Sequence, residues 1–417
     1  MHVASNNLID RQNNDFLLLI KKMQLCKAYR ELCLKKNIQL DKITSINEIQ
    51  SLPLIDKGYL SINNSSHWKG VRDEKIVRIH ATSGTTGLPV YIPSTKNDLD
   101  NWSTIIGRLL LLTDVSPSHT ILIALPYGMF TGGLGFHYGA EKIGCVTIPA
   151  GASNTNKHIE IIENLHPDIL IATPSYGLHL LESYFQKTKK ASGFKLGIFG
   201  GECWTEESKV NFEQTYNIKA YNCYGLTEIM GPGVACETPQ TKGKLVVEED
   251  YFFPEIINPI TLEQVKEGEW GELVITTLKK EAAPLIRYRT RDITRFTGEK
   301  YNGFRLIDRI KARTDDLLTV RGVSFYPMRI EEIIFTFPEI SSNYLIEISR
   351  PNNLDQLTIK LSFKLENLAN NLVDLICKKI KEMIKSFIGI SVEISLTKKE
   401  EIPLSLGKAK RVLDLRK

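Results

Sequence analysis

The chain has 417 residues, 42% of them hydrophobic, and its 53 basic and 48 acidic side chains leave a formal net charge of +5. That length and apolar content can bury a large core in two to four structural domains, which excludes disorder as the main state, and the mild positive bias suits anionic ligands but is too small to argue for nucleic acid. Seven cysteines scattered from Cys26 to Cys377 without a CxxC pair, no apolar run of membrane-spanning length and a polar start from Met1 to Asn14 without a secretory pattern predict a reduced, cytoplasmic protein with no membrane partner.

Phe16, Leu19, Ile20, Met23, Cys26, Tyr29 and Cys33 recur at steps of three and four, the spacing of one amphipathic N-terminal helix. Short β-branched runs then alternate with helical stretches: Lys75–His80, Thr120–Ala124, Cys145–Pro149, Asp168–Ala172, Lys195–Phe199 and Lys219–Tyr224. This rhythm predicts an α/β fold with parallel strands, whose ligands bind on loops at the carboxyl ends of the strands. Those loops are Ala81–Pro89, Tyr127–Gly135, Gly200–Thr205 and Tyr224–Gly233. A further strand is expected at Glu272–Thr277. After Arg313 the pattern becomes that of a smaller α+β unit: a strand at Leu317–Arg321, a helix opened by Pro327, strands at Tyr344–Ile348 and Leu357–Phe363, a helix through Leu372 to Phe387 and a last strand near Val392–Leu396. The expected division is therefore an N-terminal domain of residues 1–314, entered through a helical segment 1–66, and a C-terminal domain of residues 315–417. No internal repeat or low-complexity tract interrupts it.

Three segments carry chemistry. Thr82-Ser83-Gly84-Thr85-Thr86-Gly87 offers hydroxyls, backbone N–H groups and two glycines to a polyphosphate, without the lysine of a Walker loop. Tyr224-Gly225-Leu226-Thr227-Glu228 brings together a ring that can stack on adenine, a hydroxyl for an α-phosphate and a carboxylate for Mg²⁺. Tyr288-Arg289-Thr290-Arg291-Asp292 ends on a carboxylate able to accept two ribose hydroxyls. Taken singly, each has a plainer reading: a Ser/Gly loop, a surface turn, and a salt-bridge cluster of Arg287, Arg289 and Arg291.

Their order, with Arg313 and Gly407-Lys408 behind them, resembles the adenylate-forming superfamily and, within it, the phenylacetate–coenzyme A ligases. The marks are YGMFTGGLG from Tyr127, GIFGGE from Gly197, YGLTEIMGPGVA from Tyr224, TTLKKEAAPLIRYRTRD from Thr276 and RGVSFYPMRIEE from Arg321, and the resemblance runs from about Lys21 to Leu415. It implies a large N-terminal α/β domain with a small mobile α+β C-terminal domain. It implies further that Ser83, Gly84, Thr85 and Thr86 hold the β- and γ-phosphates, that Gly201, Glu202 and Tyr224 enclose adenine, with Gly225 also at the cofactor, that Thr227 and Glu228 serve phosphate and Mg²⁺, and that Asp292 and Arg313 fix the ribose. Lys408 would reach the carboxylate and α-phosphate, Asp315 would be the hinge, and Lys57 matches a family lysine near the phosphates. Tyr127, Phe130, Gly133, Gly200, Ile229 and Pro232 would line an acyl slot, flat enough for an aryl ring.

The chain departs from the pattern in three places. Leu88 and Val90 leave the phosphate loop without its frequent lysine, Ala312 replaces the usual glycine before Arg313, and Cys236 stands with Val246 at the histidine position of a structural zinc site found in many relatives, so no zinc is expected. The implied reaction uses ATP, Mg²⁺, an aryl acid and coenzyme A. Two other readings stay open: transfer to the phosphopantetheine arm of a carrier protein, and a catalytically silent nucleotide-binding relative, against which the retained Lys408, Glu228 and Asp292 argue. A homodimer follows from family similarity alone.

Overall fold

Residues 5–62, 69–82, 89–351, 354–364, 368–397, 401–402 and 411–416 are described by the computed structural model. They divide into two compact units, Met1–Gly151 with Tyr221–Ile310, and Ala152–Ala220 with Lys311–Lys417.

The first unit begins with the predicted amphipathic face, and Phe16, Leu19, Ile20, Met23, Cys26, Tyr29 and Cys33 are all buried. The face is nevertheless carried by two helices, Ser5–Met23 and Lys27–Lys35, rather than one. Cys26 takes an extended backbone, φ −75° and ψ 103°, and caps the second helix. No proline or glycine announces the break, and the apolar spacing continues across it because both helices turn the same stripe to the core. Thr120–Ile123 and Val146–Ile148 pair in parallel, as expected. Ile76–Ala81 does not join a parallel set: it forms an antiparallel two-stranded ladder with Tyr91–Thr95. The segment between these two strands is short enough for a hairpin, whereas a parallel crossover needs a dozen residues or more.

Two further sets of strands are built from antiparallel pairs, the second of them joined by a single parallel bridge between Ile55 and Tyr288. Lys219–Leu226, Gly231–Glu237, Leu245–Val247, Phe304–Ile307 and Phe296–Tyr301 follow one another edge to edge. A second set joins Phe252–Ile257, Gly271–Thr277 and Tyr288–Thr294. Gly271–Thr277 is buried at every position, the pattern of a strand covered on both faces.

In the second unit Ile169–Ala172 and Leu196–Gly200 pair in parallel. The C-terminal segment holds the hairpin Leu318–Val320 with Val323–Phe325, the helix Pro327–Ile334, and a sheet in the order Glu393–Leu396, Gln356–Phe363, Ile340–Ser349, Val412–Asp414. The helix Asn370–Ile388 buries Ile376, Ile380 and Ile384, one stripe at a spacing of four, against the core of that sheet, where Ile346, Ile348, Leu357, Ile359 and Leu361 are at or near zero exposure. The expected elements recur to within a few residues at each end, but the strands Val323–Phe325 and Val412–Asp414 were not expected, and the last strand is Val412–Asp414 rather than the one near Val392–Leu396. Among the described residues no helix is long and apolar enough to cross a membrane.

Candidate active site

The segment expected as a loop from Tyr224 to Gly233 is instead a tight hairpin. Lys219–Leu226 and Gly231–Glu237 pair through Cys223–Cys236, Tyr224–Ala235, Gly225–Pro232 and Leu226–Gly231, with an irregularity between Tyr224 and Gly225. Only residues 227–230 turn the chain, and the N–H groups of Ile229 and Met230 both donate to the Leu226 carbonyl at 3.1 Å. Ile229 is fully buried and Met230 nearly so, which pins the turn from below and leaves Thr227 half-buried at its head. The backbones here meet directly: a Cβ on Gly225 would lie 1.9 Å from the Gly231 carbonyl oxygen, so any side chain would force the strands apart.

Side chains from distant segments converge on this hairpin. The Tyr224 hydroxyl donates to Asp292 Oδ2 at 2.6 Å. Asp292 is buried on the strand Tyr288–Thr294, and the neighbouring arginines pair with other carboxylates: Arg287 with Glu255, Arg289 with Glu272 and Arg291 with Asp56. The Thr227 hydroxyl meets that of Thr131 at 3.1 Å. Glu228 Oε1 lies 3.7 Å from the ammonium of Lys57, at the start of the helix Lys57–Ile62. From beneath, Lys280 Nζ donates to the Glu228 backbone carbonyl at 2.7 Å.

Of the residues expected to line an acyl slot, Tyr127, Phe130, Gly133, Ile229 and Pro232 belong to the first unit. The Tyr127 hydroxyl is 3.3 Å from His137 Nδ1, and burial pushes its pKa well above the usual phenol range. Gly133 is buried against its own loop, where a Cβ would come within 2.8 Å of the Pro126 carbonyl and 3.1 Å of the Tyr127 ring. Phe130 is largely exposed, Ile229 is core, and Pro232 accepts a hydrogen bond from Trp102 Nε1 at its carbonyl. Gly200 ends the strand Leu196–Gly200 in the second unit, followed by Gly201 at φ +82°. Glu202 Oε2 there accepts from the Ser175 N–H at 3.2 Å, at the start of the helix Pro174–Thr188. Arg313 grips Asp315 through two bonds, Nε to Oδ1 at 2.9 Å and Nη2 to Oδ2 at 3.0 Å. Ser83, Gly84, Thr85, Thr86 and Lys408 lie outside the described residues.

Four residues were not singled out by sequence reasoning: His80, Asp98, Trp102 and Lys280. They line one small cavity with Thr131, Thr227 and Met230. Burial pushes the Lys280 ammonium down to about 8, with Asp98 and Glu228 working against the shift. Burial likewise lowers His80, whose Nδ1 is 3.2 Å from the Met129 carbonyl oxygen and whose ring stands edge-on to Trp102. The one available signal was the position of Lys280 inside TTLKKEAAPLIRYRTRD, where it reads as one of two adjacent surface lysines.

Glu228 offers a carboxylate beside a hydroxyl, the arrangement by which Mg²⁺ is held through one protein ligand and substrate phosphates. For zinc, Cys236 faces Val246 on one neighbouring strand and Cys223 on the other. Among the described residues no group of three or more His, Cys, Asp or Glu side chains could hold a metal ion, and two thiols do not complete a tetrahedral site.

The family model of the AMP-binding enzymes matches residues 21–278, and that of the AMP-binding enzyme C-terminal domain matches residues 322–416. The chain is 41% identical over 381 residues to a phenylacetate–coenzyme A ligase of Escherichia coli, covering 90% of this chain and 87% of that one. It is 33% identical over 409 residues to a phenylacetate–coenzyme A ligase of Thermus thermophilus, covering 93% and 92%. Among solved structures, a 2-hydroxyisobutyryl-CoA ligase in the postadenylation state with 2-HIB-AMP superposes with a TM-score of 0.86 at 21% identity, covering 95% of this chain and 88% of that one. An anthranilate CoA ligase in complex with anthranoyl-AMP gives a TM-score of 0.63 at 18% identity over 81% of this chain and 66% of that one. These two likenesses carry the fold.

Proposed function

We propose a planar aryl acid as the substrate of this chain, which belongs to the AMP-binding enzymes and, among them, to the phenylacetate–coenzyme A ligases: it is an AMP-forming acid–thiol ligase. The acid's carboxylate attacks the α-phosphorus of ATP and pyrophosphate leaves. The thiol of coenzyme A then attacks the carbonyl of the acyl-adenylate, and AMP leaves. The observation that carries the reading is the convergence of Tyr224, Asp292, Thr227 and Glu228 on one hairpin and the strand facing it.

The chain's own residues divide the work. Tyr224 presents a ring for adenine while its hydroxyl orients Asp292 for the ribose. Thr131 sets the rotamer of the Thr227 hydroxyl, which is offered to the α-phosphate where charge grows in the transition state. Glu228 would hold Mg²⁺, which neutralises the polyphosphate when bound. Lys57 stands within reach of the same anions. Ser83, Gly84, Thr85 and Thr86 cradle the terminal phosphates, Gly201, Glu202 and Gly225 serve adenine, and Arg313 serves the ribose. Lys408 neutralises the acid as it approaches the phosphate. The C-terminal domain of residues 315–417 turns about Asp315 between half-reactions, since Lys408 is needed in the first and a thiol in the second. The aryl preference rests on Tyr127 with Gly133 packed beneath it, a ring and a small residue side by side. We assign the enzyme to the cytoplasm.

The test is ATP–pyrophosphate exchange with a panel of acids. The expected outcome is exchange that depends on aryl acids such as phenylacetate, benzoate and anthranilate. Medium-chain fatty acids matching or exceeding every aryl acid would overturn the substrate class. Coenzyme A and a holo carrier protein, compared as acceptors, separate the two thiols.

A further inference from the structure

We propose that Lys280 is a positioning residue for acid activation: its buried ammonium holds the Glu228 carbonyl, and so fixes the angle at which the turn presents Thr227 and Glu228 to the nucleotide. The inference rests on the activity proposed above and adds a residue that no motif role assigns.

The contact is one end of a strut built from three segments. Asp98 lies in the first turn of the helix Lys96–Leu112 and is almost wholly buried. Its two oxygens accept from the backbone N–H groups of Thr95 at 2.9 Å, Glu281 at 2.7 Å and Ala282 at 3.0 Å. The backbone next to Lys280 is therefore anchored to a helix by a carboxylate with no freedom to turn. Lys280 carries that anchorage up to the hairpin, 52 positions away in sequence, at 2.7 Å. A carbonyl needs only one donor, which a neutral amide could supply. A buried ammonium is the more expensive choice, because its charge must be stripped of water, and what it adds is a positive charge beneath a carboxylate. In that low-dielectric setting the charge eases the approach of polyphosphate to Glu228.

A second observation points the same way. The cavity beside Lys280 is lined by His80, Ser94, Thr131 and Thr227. His80 is 3% exposed, and its Nε2 has no hydrogen-bond partner among the described residues. An ammonium has three donors, of which the Glu228 carbonyl takes one. The space is that of about one water, which would join the ammonium, His80 and the Thr227 hydroxyl and so extend the hold from the carbonyl of Glu228 to the side chain before it.

The experiment compares wild type, Lys280→Met and Lys280→Gln in the full-length chain, using whichever acid exchanges fastest, aryl or not. A failure of the aryl reading thus leaves this test intact, while absence of exchange with every acid would overturn both. Each protein is assayed for ATP–pyrophosphate exchange and, separately, for thioester formation from a synthetic acyl-adenylate with coenzyme A. Misplacing reacting groups by about 1 Å is worth about 100-fold in rate, so Lys280→Met is expected to lose about that much exchange kcat, with the KM for the acid within about twofold of wild type. Thioester formation from the preformed adenylate should stay within about threefold, because bond making to phosphorus is already complete. Lys280→Gln, which keeps a donor without the charge, should fall between. Exchange kcat for Lys280→Met within about threefold of wild type would overturn the proposal, as would equal losses of both half-reactions in the two variants.

Discussion

The hydroxyl of Tyr224 reaches Asp292 Oδ2 at 2.6 Å, so the ring of the hairpin and the carboxylate of the facing strand move as one body although 68 positions separate them. Tyr224→Phe keeps the ring and removes the tether. A hydrogen bond to a charged group is worth roughly 1.5 kcal/mol, which predicts a rise of about tenfold in the KM for MgATP with little change in the KM for the acid. Asp292→Asn should raise it further. Steady-state exchange kinetics at varied ATP check both, and an unchanged KM in Tyr224→Phe would mean that the bond does not position the carboxylate.

Thr131 precedes the helix Gly132–Lys142 but its side chain makes no capping bond. Its hydroxyl is instead turned to Thr227 at 3.1 Å. Thr131→Val should therefore leave the melting temperature nearly unchanged while slowing exchange about fivefold, the effect of one lost orienting bond of about 1 kcal/mol. Calorimetry and exchange on the same preparation separate the two effects.

Arg313 and Asp315 are joined side chain to side chain at the start of the C-terminal segment, and Asp315 sits within the short turn Thr314–Asp316. Proline is tolerated in a first turn, so Asp315→Pro should fold with φ held near about −65°, within the range of a 3₁₀ turn. It is expected to keep ATP–pyrophosphate exchange and lose thioester formation from a preformed acyl-adenylate. Lys408→Ala should show the reverse. Equal loss of both half-reactions in folded variants would end the rotating-domain mechanism for this enzyme.

Glu248 is buried beside Arg108, and burial pushes its carboxyl up to about 7 against the pull of that arginine. A folded pKa raised above the unfolded value means that this site's contribution to stability is whole below about pH 4.5 and is lost as pH rises through about 7. At pH 8 the buried charge then costs about 3 kcal/mol, at roughly 1.4 kcal/mol per pKa unit. Glu248→Gln should melt higher than wild type at pH 8 and no higher at pH 5, because Arg108 retains Asp250 as a partner at 3.1 Å. Scanning calorimetry at the two pH values checks the crossing.

Cys236 has a valine and a cysteine as its cross-strand neighbours. Purified protein should accordingly contain no stoichiometric zinc by elemental analysis, and a chelator should leave its melting temperature unchanged; about one zinc per chain would refute this.

Much of this enzyme was legible before any coordinate. The stripe from Phe16 to Cys33, the parallel pairs around Thr120 and Ile169, and the alternation of strand and helix after Pro327 are local patterns, set by which side chains must leave water within a few residues of one another. The motif around Tyr224 likewise declared a ring, a hydroxyl and a carboxylate in one short segment. What those patterns do not contain is distance. That Ile76–Ala81 turns back on Tyr91–Thr95, that the Tyr224 segment closes into a hairpin with Gly225 against a facing backbone, and that the N-terminal stripe is split between two helices all depend on how segments stack. Lys280 shows the limit most clearly: in sequence it is one of two adjacent lysines, and only the fold closes the 52 positions to Glu228 and takes its charge out of bulk solvent. Local patterning chose the elements, because hydrophobic burial acts through spacing along the chain; tertiary packing chose the partners, because hydrogen bonds and charges act through space.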